Sequence, residues 1–128
     1  MPQPRRILVI DDDPNLRRTL SLILEHAGHE VTSIDRGRQA LSRSGFEAYD
    51  LIIVDIIALE PGGVELLLGL QQCCAQVPIL ILIGQDLTGL DQELRRYGAG
   101  AILYKPFDSE RLLTQVTHLL RAKTPPKA

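Results

Sequence analysis

Residues 7–14 read Ile-Leu-Val-Ile-Asp-Asp-Asp-Pro, and this stretch decides the fold. Its apolar run does not alternate with polar residues and is mostly β-branched. Such a run suits a strand buried on both faces of a parallel sheet. Asp13 followed by Pro14 reads as a helix N-cap and first helical position. The segment is therefore a strand that breaks on an acidic turn and enters a helix.

The same kind of strand recurs along the chain. Leu51-Ile52-Ile53-Val54 and Ile79-Leu80-Ile81-Leu82-Ile83 are further unbroken apolar runs, and 30–34 and 101–104 are weaker strand candidates. Helical patterns lie between them. Leu16, Leu20, Ile23, Leu24 and Ala27 form one apolar stripe, closed by Gly28. Residues 64–72 form a second pattern, and 38–44 a shorter one. Thr88-Gly89-Leu90-Asp91 resembles a capping box opening a helix with Leu90, Leu94 and Tyr97, stopped by Gly98. Leu112, Leu113, Val116, Leu119 and Leu120 mark a last helix capped by Asp108. The order is βαβαβαβαβα. Strict alternation predicts an α/β doubly wound parallel sheet with five strands, five helices and three α/β/α layers.

Composition bounds the function. The chain has 128 residues, 45% hydrophobic and 23% charged, which fits one globular domain. Net charge is −2, against the basic face usual for direct nucleic-acid contact. The arginine pairs Arg5-Arg6, Arg17-Arg18 and Arg95-Arg96 read as solvated surface. No apolar run approaches the roughly 18–20 residues of a membrane span, and four apolar residues after the N-terminus are too few for a signal peptide. Adjacent Cys73 and Cys74 lack metal or redox spacing and read as reduced thiols of a cytoplasmic protein. His26, His29 and His118 also lack ligand spacing and read as surface residues. We expect a domain over 1–122 and a linker or frayed tail over 123–128.

In such sheets ligands bind beyond the C-terminal strand ends. There the sequence delivers Asp11-Asp12-Asp13, Asp55, Ile83-Gly84 and Tyr104-Lys105-Pro106. Carboxylates packed together need a cation, and magnesium takes carboxylate, water and phosphate oxygens. Magnesium beside a carboxylate and a lysine is a phosphoryl-transfer arrangement, with Asp55 able to act as nucleophile.

These residues together resemble the receiver domains of bacterial response regulators. Residues 7–14 resemble the opening strand and acidic turn, and Asp50-Leu-Ile-Ile-Val-Asp55 the phosphoacceptor strand. Gly63 falls at the glycine of the following loop, 78–83 resembles the fourth strand, and Lys105-Pro106-Phe107 the closing signature. The resemblance covers about residues 5–121. It implies the flavodoxin-like strand order 2-1-3-4-5. It also implies magnesium held by Asp11, Asp12, Asp55 and the Ile57 carbonyl, with Asp11 acting largely through water. Asp55 would accept the phosphoryl group, Lys105 would pair with it, and Pro106 would follow a cis bond. The implied partners are a histidine kinase or phosphotransfer protein, and an output domain or downstream protein met through the last two helices and strand five. A homodimer stays open.

Three positions depart from the family pattern. Ile83 stands where the family has threonine or serine, and Ile102 where it has an aromatic residue. In the family that hydroxyl bonds the new phosphoryl group and the ring swings in behind it. Tyr104 shares a strand face with Ile102 but sits one pleat nearer the site. Leu59 replaces a proline of the loop, with Pro61 and Gly62 following. Two readings result: a phosphorelay receiver, or a pseudo-receiver binding proteins independently of phosphorylation. A third, a phosphohydrolase using Asp11-Asp12-Asp13, leaves Asp55 unexplained and lacks length for a cap domain. The 128 residues hold no output domain, so a stand-alone regulator and an excised domain are both expected.

Overall fold

The structure is a computed structural model that describes residues 5–35, 48–55, 63–73, 76–84, 89 and 91–123. In chain order these form β1 (Arg6–Ile10), α1 (Pro14–His26), β2 (Glu30–Ile34), β3 (Leu51–Asp55), α2 (Gly63–Cys73), β4 (Ile79–Gly84), α3 (Asp91–Arg96), β5 (Ala101–Lys105) and α4 (Ser109–Lys123). The helix expected over 38–44 lies outside the described residues. The last helix reaches Lys123, one residue into the expected tail.

The strands make one parallel sheet in the order β2-β1-β3-β4-β5. β1, β3 and β4 occupy its centre, and their apolar residues are buried almost without remainder. That is why these runs do not alternate: each pleat meets a helix layer. On one side Ile7, Val9, Leu51, Ile53, Leu80, Leu82 and Leu103 pack with Leu20 and Leu24 of α1 and Leu112, Val116, Leu119 and Leu120 of α4. On the other, Leu8, Ile10, Ile52, Val54, Ile79, Ile81 and Ile83 pack with Leu67 and Leu70 of α2 and Leu94 of α3. Each fully buried leucine contributes about 1.5–3 kcal/mol relative to exposure.

The caps explain where the helices begin and stop. Asp13 accepts a hydrogen bond from Asn15 N at 2.9 Å, and Asp108 one from Arg111 N at 2.8 Å. Gly28 and Gly98 follow helix ends at φ +98° and +105°, a left-handed backbone that favours glycine. Two boundary details differ from the sequence reading. Ala27 is exposed at the C-cap, outside the buried stripe. Tyr97 lies just past α3, because Gly98 turns the chain out of the helix.

Candidate functional site

The acidic site follows from strand register. β1 and β3 are neighbours with Ile10 opposite Val54, so Asp11 and Asp55 are the next residues on each path. Strand side chains alternate between faces. Continuing that alternation puts Asp11, Asp55 and Lys105 on the side covered by α1 and α4, the side of Val9, Ile53 and Leu103. Lys105 also ends its strand, opposite Gly84.

Asp11 and Asp55 are the buried charged residues among the described ones, 1% and 3% exposed. A buried charge is costly unless paired and hydrogen-bonded. Asp55 Oδ2 accepts from Lys105 Nζ as an ion pair. Asp11 is held through its backbone and one carboxylate oxygen. Its N–H donates to the Ile34 carbonyl at 3.1 Å. Its carbonyl accepts from Arg17 Nη1 at 2.8 Å, and its Oδ1 accepts from Asp13 N at 2.9 Å. Its Oδ2 is buried with no hydrogen-bond partner among the described residues. Burial is the largest cause pushing the Asp11 carboxyl up from 3.8 to about 6. The Asp13 N–H opposes that rise, the negative charge of Asp55 adds to it, Lys105 counters it, and Asp13 adds to it. Asp12 and Asp13 are exposed beside this pair.

An unpartnered, buried carboxylate oxygen beside a second buried carboxylate suits a hard cation. Among the described residues no group of three or more His, Cys, Asp or Glu side chains could by itself hold a metal. Magnesium does not demand such a cage; it takes one or two carboxylates and completes its shell with water and phosphate oxygens. The donors present therefore fit magnesium. The Ile57 carbonyl lies outside the described residues, as do Leu59, Pro61 and Gly62. The bond from Lys105 to Pro106 is cis, as the resemblance implies.

Ile83 is 0% exposed and belongs to the cluster on the opposite side of the sheet, with Val54 and Leu94. Ile102 and Tyr104 are half-buried against that same cluster, and Tyr104 registers opposite Ile83. Two of the three departing positions thus belong to one cluster, Ile102 registering opposite Ile81.

Two sequence readings need correction. His26 and His118 are exposed as expected, but His29 is half-buried and its Nδ1 is enclosed without a hydrogen-bond partner among the described residues. Burial, then the charge of Arg5, pulls its pKa below the usual 6.5. His29 lies between Gly28 and the first residue of β2, outside any helical stripe, so periodicity could not reveal its burial. Arg17 is likewise half-buried and bonded to the acidic turn, whereas Arg18 is exposed. The signal that could have singled out Arg17 is its place in the first turn of the helix that the acidic turn opens.

The family model described as "Response regulator receiver domain" matches residues 7–117. The chain belongs to the response-regulator receiver family. This receiver domain is 35% identical over 127 residues to the response regulator MprA of Mycolicibacterium vanbaalenii, covering 95% of this chain and 53% of that protein. It is 32% identical over 120 residues to the uncharacterized transcriptional regulatory protein YkoG of Bacillus subtilis, covering 90% and 50%. The chain thus spans about half the length of the curated relatives it matches. Full-length FixJ from B. japonicum superposes with a TM-score of 0.85 at 31% identity, over 97% of this chain and 61% of that one. The Francisella response regulator 1452 receiver domain superposes with a TM-score of 0.82 at 28% identity, over 94% and 99%. The flavodoxin-like order expected from the sequence is the order observed. Among the described residues no helix is long and apolar enough to cross a membrane.

Proposed function

We propose that this receiver domain accepts a phosphoryl group on Asp55 from a histidine kinase or phosphotransfer protein, in a magnesium-dependent reaction. The observation that carries the reading is the buried Asp55–Lys105 pair beside Asp11, whose Oδ2 has no hydrogen-bond partner among the described residues. In the transfer a carboxylate oxygen of Asp55 forms the new bond to phosphorus. The bond from phosphorus to the donor's imidazole nitrogen breaks, and its electron pair returns to the ring. Lys105 stays beside Asp55 and pairs with the phosphoryl oxygens. Asp11, Asp12, Asp55 and the Ile57 carbonyl would hold magnesium, which supplies positive charge against that of the incoming phosphate. The domain then acts as a signalling module and not as an enzyme with turnover of its own.

The reporting step is altered. Ile83 keeps a branched shape but offers no donor, and Ile102 offers no ring. A hydrogen bond to a charged group is worth about 1.5–3 kcal/mol, so its loss removes much of the bias toward an active state. That observation favours a second reading, a pseudo-receiver that binds its partners independently of phosphorylation. Under either reading the domain spans 1–122, with 123–128 a linker or tail. It works in the cytoplasm without direct nucleic-acid or membrane contact. It meets an output domain, a downstream protein or a second copy through α3, β5 and α4.

Incubation with magnesium and acetyl phosphate, followed by intact mass measurement, separates the two. One phosphoryl adduct on the wild type and none on Asp55→Asn is expected. An unmodified wild type sinks the relay reading, and an adduct surviving Asp55→Asn sinks the site assignment.

A further inference from the structure

Arg17, from one of the scattered arginine pairs, reaches the acidic turn. It sits in the first turn of α1, where its N–H donates to the Asp13 carbonyl at 2.9 Å. Its side chain turns back over six residues, and Nη1 donates to the Asp11 carbonyl at 2.8 Å. Arg17 therefore binds the acidic turn at two carbonyls, one through its backbone and one through its guanidinium.

The Asp11 carbonyl belongs to the peptide that joins Asp11 to Asp12. A peptide unit is planar, so holding its oxygen restrains ψ of Asp11 and φ of Asp12, the two rotations on which the aim of both side chains depends. On the Asp11 side that peptide is already anchored by the Asp11 N–H to Ile34 and by Oδ1 to Asp13 N. On the Asp12 side the side chain is exposed, and the guanidinium is the group that locks the peptide plane before it. The charges acting on the Asp11 carboxyl are those of Asp55, Lys105 and Asp13. Arg17 acts instead on the main chain.

We propose that Arg17 is a positioning residue for the divalent-cation site, holding the Asp11–Asp12 peptide so that both carboxylates serve one ion. The inference rests on the magnesium-dependent reading above and assigns to that site a determinant outside its ligands. Partners that orient metal ligands in this way typically change metal affinity by about 10–100-fold when removed.

The test is calorimetric titration of the purified chain with magnesium chloride, with a thermal melt of each protein. Arg17→Met is expected to weaken magnesium binding about tenfold. Arg17→Lys, which keeps a donor, should recover part of the loss. Thr19→Ala is the control, since it removes a bond of the same helix, Thr19 Oγ1 to the Asn15 carbonyl at 3.0 Å, away from the acidic turn. It should leave magnesium affinity unchanged whatever it does to the melt. Equal affinity in wild type and Arg17→Met overturns the proposal. So does a loss that Thr19→Ala reproduces, or, if Arg17→Met does not fold, an unchanged affinity in Arg17→Lys. A wild type that binds no magnesium fails the functional reading itself, which is a separate result.

Discussion

At position 83 the chain places an isoleucine, 0% exposed, inside the cluster shared by Val54 and Leu94. Ile83→Thr would restore the hydroxyl that the family carries at this position but bury it among aliphatic side chains. Burying an unpaired hydroxyl costs about 1–3 kcal/mol, so urea unfolding should show a loss of that size. An unchanged midpoint would mean that the hydroxyl finds a partner or that Ile83 is less enclosed. Lys105 is tested differently, because its Nζ is the cation bonded to Asp55. Lys105→Met should slow adduct formation from acetyl phosphate by about 10²-fold, the usual order for losing one aimed donor. An unchanged rate would remove Lys105 from the reaction. The acidic pair and the lysine were legible in the sequence because strand ends of a parallel sheet converge on one edge. Arg17 was not: a guanidinium reaching a carbonyl six residues back leaves no periodic mark, and two adjacent arginines read first as surface.

Among the elements, α1 shows what spacing does and does not decide. Leu20 and Leu24 are fully buried on one stripe, while Leu22, two positions from each, is 61% exposed. Leu24→Ala should cost about 2–5 kcal/mol through lost burial and a cavity. Leu22→Ala should stay within about 0.5 kcal/mol. Comparable losses at both would contradict the helix orientation. The α4 N-cap makes a second test: Asp108→Ala should cost about 1 kcal/mol in thermal or urea unfolding. β1, β3 and β4 were legible as strands because burial on both faces leaves unbroken apolar runs. The end of α1 was less so. Ala27 continues the stripe in sequence, but the backbone leaves the helix there and carries it into solvent.

For the whole molecule, His29 makes stability depend on pH. Its folded pKa lies below the unfolded value of 6.5, so the unfolded state binds more protons in the window just below 6.5. Stability from this group is complete above pH 6.5 and is lost as the pH falls through that window. His29→Gln removes the titration, so any advantage of wild type over variant should shrink on acidification from about pH 7.5 to about pH 5.5. A gap independent of pH would contradict the burial of Nδ1. The central claim concerns the two sides of the sheet. Asp11, Asp55 and Lys105 follow the side covered by α1 and α4, whereas Ile83 and Ile102 pack on the other, and neither of these two positions carries a hydroxyl or a ring. Phosphorylation should therefore charge the site without moving that second side. The most direct measurement is a map of backbone amide NMR shifts on adding magnesium and beryllofluoride, a phosphoryl mimic. Shifts confined to the surroundings of Asp11, Asp55 and Lys105 are the result predicted; large shifts at Ile102 and along α3, on the second side, would contradict it.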